Sequence, residues 1–266
     1  MSFIKQKKLG QVFLKDLSFV NKIIKAGQIN EKDLVLEIGA GKGILTQALL
    51  KTKAQVIAIE KDPELVKFLK QRFENNLNLK IIQGDIRDFL ISDSQILKSN
   101  FKVIGNIPYY LTSYLIKLLL ELKKQPEDII LMIQKEVAQR IIQQPPKMNL
   151  LAASVQFYAH AKIISYVPKT AFSPKPKIDS AIIQITPFVD NKRTKAIEQS
   201  FFKIIKAGFK QPRKLLINNL CLNLKIDKKI IEKSFKKLNL PLNIRAQNLS
   251  LNQWTCLSLL LINNKL

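Results

Sequence analysis

The chain has 266 residues, of which 47% are hydrophobic, and a mean hydropathy of +0.01, so it is long and apolar enough to form a buried core. Eight glycines and eleven prolines exclude collagen-like and low-complexity classes. No apolar run reaches the roughly 18 uncharged residues that a membrane-spanning helix needs. The formal net charge of +24 indicates a polyanionic partner, of which nucleic acid is commoner than an anionic membrane surface.

Metal-ligating and nucleophilic residues are sparse. Cys221 and Cys256 lie far apart, without the spacing of a zinc site or a disulfide framework, and the single histidine, His160, lies in an apolar stretch. We therefore expect no metal site and no histidine-dependent catalysis. Free thiols and the lack of an apolar signal segment after Met1 predict a cytoplasmic protein.

The first part of the chain alternates predicted strands with helices. The strands are predicted at Asp33–Ile38, Gln55–Glu60, Leu79–Gln83, Phe101–Gly105 and Asp128–Ile133, and the helices between them include Ile44–Lys51, one opened by Pro63, and Ser113–Lys124. This alternation predicts an α/β fold, with a doubly wound and mostly parallel Rossmann-like sheet.

The pattern changes after Ile178–Thr186, an alternating run that predicts an antiparallel strand. Only helical periodicity follows, at Ala196–Lys206, Arg213–Leu222, Lys228–Leu238 and Leu251–Ile262. We therefore predict a domain over 1–187 and a small all-helical domain over 188–266. The second domain is densely basic, because it has sixteen Lys and Arg residues and four Asp and Glu residues.

A glycine-rich loop, Glu37–Gly43 (EIGAGKG), follows the first predicted strand. Glycines at the carboxyl end of a parallel strand let a ligand approach the backbone. The spacing is GxGxG instead of the GxGxxG of a dinucleotide site, which disfavours an NAD-dependent oxidoreductase, and the preceding acid suits a cationic ligand. A tight strand-to-helix turn without a ligand is the alternative for this loop alone.

Acidic residues end the next two predicted strands. Glu60 ends the second, where a carboxylate can accept both hydroxyls of a ribose, and Asp85 ends the third, where it can accept a hydrogen bond from an adenine amine. Together with Gly39 at the end of the first strand, these residues predict a site for S-adenosylmethionine.

The fourth predicted strand leads into Asn106-Ile107-Pro108-Tyr109. An adenine amine is a poor nucleophile because its lone pair is delocalised into the ring. The Asn106 side-chain oxygen and a backbone carbonyl held by Pro108 can accept the two amine hydrogens, while Tyr109 can stack on an unstacked base. This turn predicts methyl transfer to an adenine amine by positioning, without a general base. A packed strand-to-helix turn is the alternative.

Motifs spanning almost the whole chain resemble those of the ribosomal RNA adenine dimethyltransferases. They are LGQVFL from Leu9, EIGAGKG from Glu37, Glu60, Asp85, NIPYYLT from Asn106, MIQKEVAQRI from Met132, FSPKPKIDSA from Phe172, Arg213-Lys214, and RAQNLS from Arg245. The resemblance implies a class I methyltransferase fold with S-adenosylmethionine as the cofactor. It implies donor contacts from Leu14, Gly39, Glu60, Asp85 and Asn106, and a target-adenine site shaped by Asn106, Pro108 and Tyr109, with Phe172 as a second aromatic.

Two features depart from the family pattern: Val12, and the region from Met148 to Ala153, which lacks the Tyr-Gly pair that the family often has before the following helix. Val12 stands where the family usually has asparagine, so we expect only backbone contacts to the donor at this position. Phe172 also has an alternative role, as a core residue beside the neighbouring prolines.

The resemblance covers two branches. The LGQxFLxD opening, KIDSA and RAxNLS favour the housekeeping branch, which dimethylates two adjacent adenines in a small-subunit rRNA hairpin during ribosome assembly. The PKPK segment is shared more with the antibiotic-resistance branch, which modifies a large-subunit adenine. A non-catalytic RNA-binding assembly factor, mildly favoured by Val12, and a DNA adenine methyltransferase are further alternatives.

The basic helical domain is predicted to contact RNA phosphates, with Lys210, Arg213 and Lys214 as candidates. A solvated charged surface is the alternative for each of these residues. The predicted partner is small-subunit rRNA or the pre-small-subunit particle, with no membrane partner, and the chain is expected to be a monomer.

Overall fold

The computed structural model describes residues 12–92, 99–189 and 194–263, so the Leu9–Gln11 part of the first motif lies outside the described residues. Its main element is a seven-stranded sheet. The strands of this sheet are β2 (Leu34–Ile38), β3 (Gln55–Glu60), β4 (Leu79–Gln83), β5 (Lys102–Asn106), β6 (Asp128–Gln134), β7 (Ala159–Val167) and β9 (Ser180–Pro187). A separate two-stranded ribbon joins β1 (Phe13–Leu14) to β8 (Phe172–Ser173).

The strand order is β4-β3-β2-β5-β6-β9-β7. The first five strands in this order are parallel, whereas β9 is antiparallel to β6, and β7 is antiparallel to β9. The apolar run Ile129–Ile133 of β6 is fully buried, as expected for a strand covered on both faces. These features confirm the predicted doubly wound, mostly parallel α/β sheet.

Helices connect most of the strands, and the predicted ones at Ile44–Lys51 and from Pro63 are among them. The helices are α1 (Leu17–Ala26), α2 (Ile44–Lys51), α3 (Pro63–Arg72), α4 (Ile86–Ser92), α5 (Thr112–Leu120), α6 (Lys135–Ile141), α7 (Leu150–Gln156), α8 (Lys195–Gly208), α9 (Leu216–Leu224), α10 (Lys228–Lys237) and α11 (Leu251–Asn263). The first turn of α3 illustrates the local chemistry: Pro63 is its first residue, and the Asp62 side chain caps it by accepting from the Glu64 amide at 2.9 Å. Within the described residues, no helix combines the length and the apolar content that crossing a membrane requires.

The chain divides into two compact units. One contains the described residues up to Gln139 together with Ala159–Pro187, and the other contains Arg140–Tyr158 together with the described residues from Phe188 onward. The segment Arg140–Tyr158 therefore lies in the second unit, and not in the first domain, where the sequence placed it.

Aromatic packing explains this assignment. Phe157, just after α7, stacks on Phe201 of α8 with ring centroids 4.0 Å apart. The Met148 amide also donates to the carbonyl of Gln247 at 3.1 Å. Phe157 and Phe201 are both fully buried, so α7 contributes to the core of the helical unit.

Candidate active site

A cavity of about 530 Å³ lies at the carboxyl ends of β2, β3 and β5, where the strand order switches direction. Doubly wound sheets bind their ligands at this position, because the loops that follow adjacent strands diverge there. Most of the predicted site residues line this cavity, namely Leu14, Gly39, Glu60, Asn106, Pro108, Tyr109 and Phe172. The fold thus brings together residues that are widely separated in the sequence.

The glycine-rich loop has three glycines in the left-handed region. The φ angles of Gly39, Gly41 and Gly43 are +72°, +57° and +75°, which residues with a Cβ rarely adopt. A Cβ on Gly41 would approach the Phe13 ring to 3.2 Å, and one on Gly39 would lie 3.4 Å from the Asn106 carbonyl oxygen. The loop therefore presents bare backbone to the cavity, and a side chain would fill part of this cradle.

Glu60 connects the end of β3 to the glycine-rich loop and is 7% exposed. Its Oε2 accepts a hydrogen bond from the Gly41 amide at 2.9 Å, and its Oε1 accepts from the Lys61 and Asp62 amides at 2.8 and 3.0 Å. A carboxylate offers about four acceptor positions. The three backbone amides hold the carboxylate in place and leave capacity for a ligand hydroxyl.

Asp85 differs from the other predicted donor contacts, because it is not among the residues that line the cavity. Its carboxylate accepts from the Arg87 side chain at 2.6 and 2.9 Å, from the Arg87 amide at 3.0 Å and from Lys61 Nζ at 3.2 Å. The Arg87 side chain is the main reason that the pKa of Asp85 lies below its usual range. Because four donors occupy this carboxylate, an adenine amine can reach it only if one of them moves.

The turn after β5 places two hydrogen-bond acceptors in consecutive residues. Asn106 Nδ2 donates to the Val12 carbonyl at 3.2 Å, and this bond assigns the amide orientation. Among the described residues, none donates to Asn106 Oδ1, and no backbone amide donates to the carbonyl of Ile107, which precedes Pro108. Both residues line the cavity, so their oxygens are available to an amine with two hydrogens.

The two aromatic residues of the predicted base site are held in different ways. The Tyr109 hydroxyl is hydrogen-bonded to Ser180 Oγ at 2.9 Å. Phe172 is 3% exposed and lies opposite Leu14 in the β1–β8 ribbon, within the hydrophobic core. Phe172 is therefore both a core residue and a wall of the cavity, so the two roles predicted for it are compatible.

Glu37, the acid that introduces the glycine-rich loop, is completely buried, and it is not among the residues that line the cavity. Neither carboxyl oxygen has a hydrogen-bond partner among the described residues. Burial raises the pKa of Glu37 to about 7; the adjacent Thr46 side chain offsets part of this rise, and the charge of Glu60 adds to it. Glu37 is thus a desolvated acid beneath the loop, and not a direct ligand contact.

The second unit has a shallow groove lined by Arg213, Lys214, Lys228 and Arg245, with Asn218 and Leu222 among its other residues. Two of the predicted phosphate contacts, Arg213 and Lys214, lie in it, whereas Lys210 is exposed but is not among the lining residues. Lys228 was not a candidate from the sequence, and Arg245 was named only as the first residue of the RAQNLS motif. These cations come from separate segments and meet only when the helices pack, so the periodicity of a single segment could not predict the groove.

Other contributions to the site were not predicted from side-chain patterns. Val12 accepts a hydrogen bond from Asn106 through its backbone carbonyl, and the residue type at position 12 could not predict this contact. Ser180 was identified only as part of the KIDSA motif.

Both described cysteines are free thiols. Among the described residues, no group of three or more His, Cys, Asp or Glu side chains is placed to bind a metal ion.

Comparisons with known proteins identify the family of the chain. A family model described as ribosomal RNA adenine dimethylase matches residues 2–262. "Ribosomal RNA small subunit methyltransferase A" of Dehalococcoides mccartyi is 38% identical over 256 residues, covering 96% of this chain and 87% of that protein. The protein of the same name from Onion yellows phytoplasma is 39% identical over 252 residues, covering 92% of each.

A solved structure described as a dimethyladenosine transferase from Plasmodium falciparum is 28% identical and aligns with a TM-score of 0.79, covering 95% of this chain and 98% of that chain. The similarity in sequence and in fold thus extends over both units. The chain belongs to the ribosomal RNA adenine dimethylase family.

Proposed function

We propose that this chain transfers methyl groups from S-adenosylmethionine to the exocyclic amines of two adjacent adenines in a small-subunit rRNA hairpin, during assembly of that subunit. The observation that carries the proposal is the pair of available acceptors at Asn106 and Ile107 on the cavity wall. The curated relatives are named small-subunit methyltransferases, which supports the choice of RNA.

The cavity fits S-adenosylmethionine, which supplies an electrophilic methyl group on a positively charged sulfur when it is bound. Leu14, Gly39, Glu60 and Asn106 would hold it, because all four line the cavity. The bare backbone of the glycine-rich loop allows close approach, and the free capacity of the Glu60 carboxylate suits a ribose hydroxyl. Asp85 can contact the donor only if Lys61 or Arg87 moves away from its carboxylate.

The acceptors at the end of β5 address the main chemical difficulty of the reaction. An adenine amine conjugates with its ring, so its lone pair is poorly available. Hydrogen bonds from the amine to Asn106 Oδ1 and to the Ile107 carbonyl favour a geometry in which the lone pair points away from both acceptors. Because both groups are fixed before the substrate arrives, they need no reorganisation during the reaction.

Tyr109 and Phe172 hold the target base in this proposal. The base must leave its stack to enter the cavity, and aromatic faces compensate for the stacking that is lost. The methylated amine then releases its proton to water, so no side chain has to act as a general base.

The helical unit would bind the RNA backbone. Arg213 and Lys214 are exposed and share their groove with two further cations, and Lys210 is an exposed lysine close to them in sequence. Exposed cations of this kind bind phosphates with little base specificity. We further propose that the protein works as a cytoplasmic monomer.

The test is transfer of radiolabelled methyl groups from S-adenosylmethionine to unmethylated small ribosomal subunits, large subunits and DNA in parallel reactions. We expect label in small-subunit RNA alone. Label in large-subunit RNA would assign the chain to the antibiotic-resistance branch, and label in DNA would identify a DNA methyltransferase. Binding to small subunits without any transfer would indicate an assembly factor that has lost catalysis.

A further inference from the structure

Asp179 and Ser180 lie where β9 begins, within the KIDSA motif that the donor and amine contacts leave unexplained. Ser180 is the first residue of β9, and its Cα is paired with those of Gln134 in β6 and Val167 in β7. The Asp179 carbonyl accepts a hydrogen bond from the Lys135 amide at 3.1 Å. The backbone of this dipeptide is therefore anchored to the sheet, beside the carboxyl end of β6.

The Ser180 side chain contacts Tyr109. Ser180 is completely buried, and its Oγ lies 2.9 Å from the Tyr109 hydroxyl. No other hydrogen bond of the Tyr109 hydroxyl is found among the described residues. A tyrosine hydroxyl oxygen lies on the axis of the second side-chain torsion, so a fixed hydroxyl partner restricts the first torsion and with it the position of the ring. Ser180 thus determines where the Tyr109 ring stands in the cavity.

The Asp179 side chain affects the position of Phe172 through a hydrogen bond to the backbone. Its Oδ1 accepts from the Lys169 amide at 3.0 Å, at the first residue of the short 3-10 turn Lys169–Ala171. Phe172 follows this turn directly, and the Ala171 carbonyl accepts from the Lys15 amide at 2.9 Å next to the β1–β8 ribbon. Asp179 therefore fixes the turn that delivers Phe172 to the cavity.

We propose that Asp179 and Ser180 form one positioning element that sets the two aromatic walls of the adenine site, with Ser180 orienting Tyr109 and Asp179 holding the turn before Phe172. The inference rests on the proposed function, in which these rings hold the target base. Two neighbouring residues on a rigid strand thereby coordinate two loops that are far apart in the sequence.

A double-mutant cycle tests the Ser180 contact. Ser180→Ala and Tyr109→Phe each remove one side of the same hydrogen bond, so each should lower kcat/KM for the RNA about tenfold and leave the dissociation constant of S-adenosylhomocysteine unchanged. The double variant should be no worse than either single variant. Multiplying effects in the double variant would overturn the inference, because Ser180 would then act independently of Tyr109.

A second cycle on the same strand is the matched control. Thr186 donates from its hydroxyl to Asp128 Oδ1 at 2.9 Å, near the opposite end of β9. Thr186→Val combined with Tyr109→Phe should give independent effects. Coupling of equal size in this cycle would show a general effect of β9 stability and would contradict specific positioning by Ser180.

The Asp179 contact is tested by rescue. Asp179→Ala removes the acceptor for the Lys169 amide and should raise KM for the RNA about tenfold, whereas Asp179→Asn keeps an acceptor oxygen and should recover most of the loss. Equal losses in both variants would show that the charge of Asp179 matters instead of its acceptor role, and would overturn this half of the inference.

Fluorine NMR of protein labelled with 3-fluorotyrosine reports on the ring without requiring activity. The chain has five tyrosines, and Tyr109→Phe identifies the Tyr109 resonance by its disappearance. Ser180→Ala should shift and broaden that resonance, and an unchanged resonance would contradict the inference. If the wild-type protein transferred no methyl group, the proposed function would fail, and this spectrum would still decide whether Ser180 orients Tyr109.

Discussion

The cavity of the first unit and the groove of the second unit differ in how they arrange charge. Glu60 on the cavity wall is buried and is held by three backbone amides, and Glu37 is fully buried beneath the glycine-rich loop, outside the residues that line the cavity. In the groove, Arg213 and Lys214 are exposed side chains on a shallow surface. The cavity therefore depends on a few fixed groups, whereas the groove depends on the number of its charges.

This difference predicts how substitutions act in each region. A change in the cavity removes an oriented group that nothing else replaces, so it should have a large effect on one step. A change in the groove removes one of several screened charges, so it should have a moderate effect that depends on salt.

The largest effect is expected at Asn106. Asn106→Ala removes the oriented acceptor and should lower the single-turnover rate of methyl transfer by roughly two to three orders of magnitude, by analogy with the loss of other preorganised polar groups. Rapid-quench kinetics with labelled donor measures this rate. Asn106→Asp keeps an acceptor oxygen but loses the donor to Val12, and it should retain more activity than the alanine variant. A rate within threefold of wild type for Asn106→Ala would contradict the role of the amide.

Glu60→Gln should weaken donor binding by roughly 30-fold. The glutamine loses the negative charge that accepts hydrogen bonds from the backbone amides, and hydrogen bonds to charged groups contribute about 1.5–3 kcal/mol. Isothermal titration calorimetry with S-adenosylmethionine measures the effect. Glu64→Gln, an exposed residue in the first turn of α3, is the matched control and should bind the donor normally. Equal losses in both variants would argue against a specific contact.

Glu37→Gln should change how stability depends on pH. Burial raises the pKa of Glu37 from 4.5 in the unfolded chain to about 7, so the folded state holds its proton more tightly. The contribution of this group to the free energy of unfolding is therefore full below about pH 4.5, falls as the pH rises to 7, and is constant above that.

The glutamine variant has no such group. Relative to wild type, it should gain on the order of 2 kcal/mol in stability between pH 5 and pH 8. Urea unfolding followed by circular dichroism at the two pH values measures the difference. A stability difference that is the same at both values would mean that Glu37 does not change its protonation in this range.

The smallest effect is expected in the groove. Replacing both Arg213 and Lys214 with glutamine should weaken RNA binding about tenfold at moderate salt and reduce the slope of log affinity against log salt by about 1 to 2. Lys236 and Lys237, exposed at the end of α10 and outside the residues that line the groove, provide the control pair. Equal slope changes for the two pairs would show that the RNA responds to net charge and not to the groove.

Much of the first unit could be predicted from the sequence, because its signals are local. The strand Gln55–Glu60 and the helix Ile44–Lys51 have the predicted bounds, since apolar runs and flanking turns define them. The sequence also indicated that the glycine-rich loop and Glu60 lie together, because a parallel sheet places the carboxyl ends of its strands at one edge.

The features that sequence reasoning missed depend on contacts between distant residues. Strand β7 is an edge strand with a half-exposed pattern and a bulge between Ile163 and Ser165, so its periodicity is weak. Helix α9 begins at Leu216 instead of the predicted Arg213, because the Lys214 amide donates to the Gln211 carbonyl in a turn around Pro212. Asp85 is occupied mainly by the nearby Arg87, but its fourth donor, Lys61, comes from a different strand-end loop.

Analysis of the methylated nucleosides tests most directly whether Asn106 promotes methylation of the adenine amine. Unmethylated small subunits are incubated with the wild-type protein and labelled S-adenosylmethionine, and their RNA is digested to nucleosides and separated by chromatography. We expect two N6,N6-dimethyladenosines per subunit from the wild-type protein, and their loss over the same reaction time with Asn106→Ala at saturating donor concentration. Label on any atom other than the adenine amine, or the same product from Asn106→Ala, would contradict this expectation.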